Sequence, residues 1–331
     1  MDSIVFDIIL IIASLLIPRQ DRIEQSAIAD SLKWNLLVPA SATMTRAWEV
    51  PYDPTADTQK VNPRQANRIL RGFRLFMNSA EAGSRFSGGT MTCNNCHPNG
   101  GQRENALPLV GVDLAFPEYN KRSGRIFVLE ERIIGCLLRS VNATRTKDRG
   151  VVIRHENELA GSTLSPEAEE VQDLAAYIRW LSAGRNIPKD IPWRGHNTLP
   201  VSVILPISKL DPKLGEQFYN ENCSSCHGTD GQGVVIGDKR PGPLWGTNSW
   251  NDGAGAARTY TLAGMIRNWM PYLNPGSLTD EQSQHIAAYI TSKPRPQFPF
   301  KHKDYLKEKI PLDAVYYPQV YPRNPLVSRK N

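Results

Sequence analysis

The sequence predicts a mainly α-helical protein in which one structural module occurs twice in tandem. Two observations lead to this prediction. The pattern Cys-x-x-Cys-His occurs at residues 93–97 and again at residues 223–227. Each copy follows a helix-like stretch and precedes a loop containing Pro-Leu-x-Gly, and a patterned helix ends each unit. A chain of 331 residues is long enough for two such domains, each with its own core.

The helices of the two units correspond in pairs. The first helix of each unit is predicted at residues 69–78 and 213–222, directly before the cysteine pattern. The closing helices follow Leu164 and Leu278, and both contain the segment Ala-Ala-Tyr-Ile. We expect each closing helix to cross the first helix of its own unit.

Both closing helices carry a start signal. Ser165 and Pro166, followed by Glu167, predict the beginning of the first one. In the second, Thr279 with Gln282 three residues later has the pattern of a capping box. These signals predict where each closing helix begins.

Proline marks the segments between and after the modules. Residues 187–206 are rich in proline and are predicted to be the interdomain linker. From residue 294 onward the chain is rich in proline and tyrosine without a periodic pattern, and this tail is expected to wrap the surface. The predicted division is 1–45 (export signal or N-terminal anchor), 46–195 (first domain) and 196–331 (second domain with tail).

The spacing inside each cysteine pattern suits covalent attachment of haem c. Two thiols one helical turn apart can each form a thioether, and the adjacent histidine can bind iron. A redox cysteine pair and half of a zinc site are the alternatives. Both pairs carry the histidine, however, and neither has a partner pair at zinc-ribbon spacing. The sequence therefore predicts two covalent haem c groups, held by Cys93, Cys96, His97, Cys223, Cys226 and His227.

These elements together form the plan of a class I cytochrome c. The expected fold class is mainly α: two tandem class I cytochrome c-type domains with long loops and a proline-rich linker and tail. Haem c is attached outside the cytoplasmic membrane, so we expect a periplasmic protein. The apolar run at residues 8–17 suits a signal peptide and is shorter than the roughly 20 residues of a spanning helix. An uncleaved N-terminal anchor is the alternative and would be the only membrane contact.

The charge balance limits the partners. The chain has 39 basic and 33 acidic residues, a formal charge of +6, which suits an anionic substrate or an acidic redox partner. This excess is too small and too scattered for nucleic-acid binding. A content of 40% hydrophobic and 22% charged residues is typical of a globular protein.

The distal iron ligands are predicted to differ between the modules. None of the six methionines follows the first cysteine pattern within its own module, whereas the second module contains Met265 and Met270. Pro243 precedes Met270 by 27 positions, and Pro108 precedes Cys136 by 28. Met270 is therefore the expected ligand in the second module, and Met265 is expected in the core. Cys136 takes the corresponding place in the first module.

A helical wheel places Cys136 away from the predicted core. At about 100° per residue, one arc is apolar and contains Ile133, Ile134, Leu137, Leu138 and Val141. The opposite arc contains Arg132, Gly135, Cys136, Arg139 and Ser140. Arginines stabilise an anionic sulfur, and thiolate is a known haem ligand. The alternatives are a buried structural cysteine and ligation by His155, 19 residues further on.

The same segments carry a resemblance to a family, the dihaem thiosulfate dehydrogenases that form tetrathionate. The resemblance extends from about Trp48 to the tail and includes CNNCH, ERIIGCLLRS, CHGTDGQG, PLWG, NDGAGAAR and RPQFPFKHKDY. It implies a catalytic first haem with His97 and Cys136 as ligands and an electron-transfer haem in the second domain. It also implies an anion site formed by Arg122, Arg132 and Ser140.

Two residues depart from the pattern that this family commonly shows. Ile134 stands where the family commonly has asparagine, one residue before the Gly-Cys pair. Trp269 stands where the family commonly has asparagine, directly before Met270. Ile134 is expected to alter hydrogen bonding near the Cys136 sulfur. Trp269 is expected to alter the ligation and the reduction potential of the second haem.

The resemblance implies that two thiosulfate ions are joined into tetrathionate, with one sulfane sulfur bonded transiently to Cys136. Paired arginines suit a small dianion because their charge-assisted hydrogen bonds are strong. For Arg125 and Arg139, binding of haem propionates and contact with substrate are both open. Electrons are expected to leave to a small soluble redox protein or cytochrome. The rival functions are a non-catalytic dihaem electron carrier, another haem-thiolate sulfur-transfer enzyme of the Sox type and, more remotely, a dihaem peroxidase.

Overall fold

The structure, a computed structural model, describes residues 37–40, 48–57, 63–78, 90–144, 164–188, 190–237 and 239–318. These residues form a mainly helical protein, as predicted. The α-helices are α1 (Pro54–Asp57), α2 (Pro63–Met77), α3 (Cys93–Cys96), α4 (Pro98–Gly101), α5 (Leu129–Arg139), α6 (Glu169–Trp180), α7 (Pro212–Asn222), α8 (Ser224–His227), α9 (Thr259–Trp269) and α10 (Asp280–Ser292). Strands β1 (Glu118–Asn120) and β2 (Arg125–Phe127) form an antiparallel pair.

Two sequence predictions lie outside the described residues: the apolar run at residues 8–17 and the alternative ligand His155. In the part of the chain that the structure describes, no helix is both long enough and apolar enough to cross a bilayer.

The predicted helix crossing occurs in both modules and depends on one glycine in each. A side-chain carbon at Gly72 of α2 would lie 1.9 Å from the Asp173 carbonyl oxygen of α6. A side-chain carbon at Gly215 of α7 would lie 2.0 Å from the His285 carbonyl oxygen of α10. Only glycine allows two helix backbones to approach so closely. The two crossings are therefore built in the same way.

Of the two predicted helix starts, that of α10 is confirmed and that of α6 is wrong. Thr279 caps α10 as predicted: the Gln282 backbone N–H donates to its Oγ1 at 3.1 Å, and Gln282 Oε1 accepts from the Thr279 backbone N–H at 2.9 Å. The start of α6 was predicted three residues too early, because its N-cap is Ala168 and not Ser165. The Ser165 carbonyl accepts from the Ala168 backbone N–H at 3.0 Å, so residues 165–168 form a turn before the helix.

Each module has an apolar core of its own, and a smaller cluster lies between them. Helices α2, α5 and α6 enclose the first core, and α7, α9 and α10 enclose the second. The smaller cluster joins Ala106 of the first module to Met265 and Trp269 of the second. The two modules are thus packed together through apolar side chains.

The predicted linker is packed against both modules. Trp193 is buried, and its Nε1–H donates to the Val110 carbonyl at 2.9 Å. Ile187 and Ile191 pack against the first core, and Leu199 is buried in the second. The segment therefore has ordered contacts along its length, in addition to connecting two domains.

The prediction that the tail wraps the surface holds for most of residues 294–318 and is wrong for the few side chains that enter the interior. Phe298 and Asp304 are buried, and both contact Arg139 of α5. The Arg139 guanidinium forms a bidentate ion pair with Asp304 at 2.7 and 2.8 Å and lies 3.8 Å above the Phe298 ring. The tail supplies the carboxylate and the aromatic face that this buried arginine requires, and so these two side chains become part of the interior.

Candidate active site

The first cysteine pattern presents a histidine in the form that binds metal. The His97 Nδ1–H donates to the Leu107 carbonyl oxygen at 2.6 Å, which leaves the Nε2 lone pair available. Burial lowers the pKa of His97 to about 4, so the ring is neutral at pH 7. Both effects prepare His97 as a ligand of a metal.

His97 faces a cavity of about 290 Å³. Cys93, Cys96, Arg132, Cys136 and Ser140 also line it. Its walls are otherwise mostly apolar and include Phe76, Leu109, Val110, Leu129, Ile133, Leu137, Leu174 and Ile178. An apolar cavity with two thiols and a neutral imidazole fits a covalently attached haem.

The three sulfur atoms of the first module share this space. Burial raises the pKa of Cys93 above its usual range, and it raises the pKa of Cys96 to about 12. The nearby Cys136 adds to both increases. Cys136 therefore lies close to the two residues that are predicted to hold the cofactor.

Cys136 lies on α5 as the helical wheel predicted. Ile133, Ile134, Leu137 and Leu138 are buried in the first core, and Cys136 faces the cavity. One turn earlier, Arg132 is exposed and its Nη1 donates to the Cys136 Sγ at 3.0 Å. The guanidinium thus provides a cationic donor directly beside the sulfur. Iron ligation by Cys136 stays a prediction.

The expected group of Arg122, Arg132 and Ser140 is only partly assembled. Arg132 and Ser140 line the cavity. Arg122 is not among the described residues that line the cavity. Its Nη1 donates to the Gly253 carbonyl of the second module at 2.8 Å. The Arg122 Nε is buried without a hydrogen-bond partner among the described residues. Arg122 therefore lies at the contact between the modules.

The other two arginines are engaged in ion pairs. Arg139 is almost fully buried, and its guanidinium is paired with Asp304. In this position it contacts neither a propionate nor the substrate. Arg125 pairs with Glu131 at 2.5 Å and lies 4.3 Å above the Phe127 ring. Both side chains hold α5 in place relative to its neighbours.

The second module differs around its histidine and its methionine. Burial lowers the pKa of His227 to about 4, but its Nδ1 has no hydrogen-bond partner among the described residues. Met270 follows α9 and packs against the same apolar cluster as Cys223 and Trp245. Met265 is buried beside Trp269 in the cluster between the modules, as expected for a core methionine. Ligation by Met270 stays a prediction.

The contact between the modules contains a buried arginine that the sequence analysis missed. Arg103 is fully buried, and its Nη2 donates to the carbonyls of Ala40 at 3.0 Å and Tyr272 at 2.8 Å. Its guanidinium lies 4.1 Å above the Tyr272 ring. Tyr272 comes two residues after Met270, and Arg103 comes four residues before Leu107. No local pattern around Arg103 indicates these long-range contacts.

Comparisons with known proteins agree with this architecture. Residues 211–290 match the model of the family described as cytochrome c oxidase, cbb3-type, subunit III. The chain is 35% identical over 237 residues to a thiosulfate dehydrogenase of Allochromatium vinosum, a match that covers 70% of this chain and 79% of the relative. It is 33% identical over 232 residues to a thiosulfate dehydrogenase of Stutzerimonas stutzeri, with 70% and 68% covered.

A solved structure is also similar. The thiosulfate dehydrogenase TsdBA from Marichromatium purpuratum superposes with a TM-score of 0.62 at 29% identity. The match covers 75% of this chain and half of the TsdBA chain.

Proposed function

The chain belongs to the thiosulfate dehydrogenase family, and on that premise we propose that it joins two thiosulfate ions into tetrathionate at Cys136. The observation that carries the proposal is the 3.0 Å contact from Arg132 Nη1 to Cys136 Sγ beside the His97 cavity. This contact puts a cation next to a sulfur atom at the place where an anionic sulfur substrate would react.

The proposed cofactors are two covalent haem c groups. The first would be held by Cys93 and Cys96 with His97 and Cys136 as iron ligands. The second would be held by Cys223 and Cys226, with His227 and Met270 as ligands. When bound, the two haems supply sites that accept one electron each and pass them on.

The chain's own residues provide the binding and the sulfur chemistry. Arg132 attracts the thiosulfate dianion and offsets its repulsion from the Cys136 thiolate. The Ser140 hydroxyl, on the same wall of the cavity, donates a hydrogen bond to the sulfonate. Because Arg132 is exposed, the substrate can reach this position from solvent.

Atoms and electrons balance over two steps. In the first, the Cys136 thiolate bonds to the sulfane sulfur of one thiosulfate, and two electrons leave. In the second, the sulfane sulfur of another thiosulfate attacks the bound one, so that tetrathionate forms and the bond to Cys136 breaks. The thiolate is then restored. The net reaction takes two thiosulfate ions to one tetrathionate and two electrons.

Reduction of ferricyanide by the purified protein tests this function. We expect reduction that depends on thiosulfate, with one tetrathionate formed for every two thiosulfate ions and two ferricyanide ions consumed. A non-catalytic electron carrier would reduce no ferricyanide under these conditions. An enzyme of the Sox type would consume thiosulfate only with an added carrier protein. Either outcome would replace the proposed function.

The cellular setting forms part of the same proposal. Covalent haem attachment requires export, so the protein would work in the periplasm. The electrons would leave to a small soluble redox protein or cytochrome, and the formal charge of +6 favours an acidic one.

A further inference from the structure

Five buried polar atoms of the second module have no hydrogen-bond partner in the part of the chain that the structure describes, and two of these are His227 Nδ1 and Trp269 Nε1. The other three are donors that lie in one region. They are Ser249 Oγ, Trp250 Nε1 and Arg295 Nη1. Ser249 and Trp250 are almost completely buried, so water outside the protein does not reach them. An unpaired buried donor costs about 1–3 kcal/mol, and more when it is charged. Three such donors therefore indicate an acceptor that binds among them.

The three donors lie on two adjacent chain segments. The backbone N–H of Gly246 donates to the Pro294 carbonyl at 2.9 Å, and that of Asp252 donates to the Pro296 carbonyl at 2.9 Å. These two bonds flank Ser249 and Trp250 on one segment and Arg295 on the other. The Arg295 guanidinium lies 4.9 Å from the centre of a Trp250 ring. The donors thus belong to one small region.

Arg295 has no carboxylate among its described hydrogen-bond partners, and Asp252 acts on it only through its charge. Arg295 donates from Nε to the Tyr316 hydroxyl at 2.8 Å and from Nη2 to the Ile290 carbonyl at 2.9 Å, both uncharged acceptors. Asp252 is already engaged by the Lys301 ammonium and the Phe298 backbone N–H. Burial lowers the pKa of Arg295, which reflects the cost of its charge there. An anion at Nη1 would remove that cost.

The surroundings of the three donors indicate which anion could bind there. Trp250 is buried in an apolar cluster that receives Cys223, Met270 and Tyr316 of the second module and also includes Met91 and Cys96 of the first. Within the described residues, Arg295 itself donates only to Tyr316 and Ile290 of the second module. A group attached at Cys223 therefore lies against the same cluster as Trp250. We propose that Ser249, Trp250 and Arg295 bind a propionate carboxylate of the haem in the second module. This inference rests on the proposed function, because it requires a haem at that module.

The neighbouring charged groups have partners of their own. Lys301 neutralises Asp252, and Lys293 lies 4.1 Å above the Tyr289 ring. The Tyr316 hydroxyl donates to the carbonyls of Thr291 and Lys293, and burial raises its pKa, so it stays neutral near pH 7. The propionate is therefore the group whose ionisation depends most on Arg295.

The test is the reduction potential of the second haem, measured by spectroelectrochemistry from about pH 5 to about pH 9. In the unaltered protein the propionate stays ionised, so we expect a potential that is nearly independent of pH. In Arg295→Gln the potential should fall near neutral pH, because a positive charge near the iron is lost. It should rise again on acidification, because the unpaired propionate takes up a proton.

Three further variants separate this role from general damage. Trp250→Phe should shift the potential in the same direction and by less, because it removes one neutral donor. Arg295→Lys keeps the charge and should restore most of the unaltered behaviour. Arg267→Gln removes a surface arginine that pairs with Asp280 in the same module, and it should leave the potential unchanged.

Haem counting by denaturing mass spectrometry keeps the two proposals apart. If the protein carries one haem only, the proposed function fails and this inference fails with it. If both haems are attached and Arg295→Gln leaves the potential and its pH profile unaltered, this inference alone is wrong. An effect of Arg295→Gln that appears only as a changed dependence on added thiosulfate or phosphate would also overturn it, because the anion would then be a free one.

Discussion

The two modules share a scaffold and differ in what surrounds the two proposed iron ligands of each. In the first, the His97 Nδ1–H is fixed by the Leu107 carbonyl, and the Cys136 sulfur accepts a hydrogen bond from Arg132. In the second, His227 Nδ1 has no hydrogen-bond partner among the described residues, and Met270 packs in an apolar cluster. The first module thus places one cation against its sulfur, and the second packs its sulfur against apolar side chains.

This difference supports the proposed division between a module that carries out the sulfur chemistry and a module that transfers electrons. A thiolate beside an exposed guanidinium can bind an anion and form a new sulfur–sulfur bond. A thioether in an apolar cluster has no ionisable group and attracts no anion, so it can only ligate iron and set its potential. The comparison therefore supports the proposal that substrate turnover occurs in the first module. The following experiments test that assignment, beginning with the largest expected effect.

Cys136→Ala should abolish thiosulfate turnover completely. The protein should still fold and attach both haems, because Cys136 faces the cavity while its helix is held by Ile133, Ile134 and Leu137 in the core. Cys136→Met is the sharper variant, since it restores a sulfur ligand that cannot form the covalent intermediate. Ferricyanide reduction with thiosulfate and a haem count by mass would measure both outcomes. Near-normal turnover in Cys136→Met would show that the sulfur only tunes the haem.

Arg132→Gln should weaken thiosulfate binding by roughly ten- to a hundred-fold, which corresponds to about 1.5–3 kcal/mol for a charge-assisted hydrogen bond. The thiosulfate dependence of initial rates would show the change. Arg179→Gln is the matched control, because Arg179 pairs with Glu130 at the start of the same helix and is half exposed. If both variants behave alike, the loss reflects general charge and the site assignment is wrong.

Met270→Leu should slow steady-state turnover by about tenfold, because the second haem loses its sulfur ligand and releases electrons less well. The reduction of the first haem by thiosulfate in a single turnover should be unchanged. Met265→Leu replaces the methionine in the cluster between the modules by an apolar side chain of similar size. It removes a sulfur atom there and should alter neither rate. The opposite pattern would make Met265 the ligand and would overturn the argument from residue spacing.

The features that the sequence predicted correctly are those with a local pattern. The Thr279 cap depends on residues three positions apart, and the apolar face of α5 follows from helical periodicity. The glycine at each crossing falls within the helix that the pattern predicts. Short-range rules therefore located the helices and placed Cys136 on the correct side of α5.

The features that it missed depend on contacts between distant segments. Arg139 pairs with Asp304 across 165 positions, and Arg103 donates to Tyr272 across 169. Trp193 enters the first core from a segment with no periodicity. The arginines on the arc of α5 opposite its apolar face look alike in sequence. In the structure, however, Arg132 lines the cavity and Arg139 is buried by the tail. Only the arrangement of the two modules and the tail distinguishes them.

The helix crossings are alike in the two modules, so substitutions there are expected to have nearly the same effect on stability in both. Gly72→Ala and Gly215→Ala would each press a methyl group against a carbonyl oxygen at about the same distance. Each should lower the free energy of unfolding by about 1–3 kcal/mol or more, the usual cost of overpacking.

Thermal unfolding followed by circular dichroism would compare these two variants. Gly255→Ala serves as the control, because a side-chain carbon there meets nothing within 4 Å. Equal losses would mean that the crossing stabilises both modules in the same way, so that their chemical differences arise only from residues around the proposed iron ligands. A much smaller loss in Gly215→Ala would mean that the second module is held together mainly by its haem and apolar cluster. The helix crossing would then contribute less to the stability of the second module than to that of the first, although the sequence repeat predicts equal contributions.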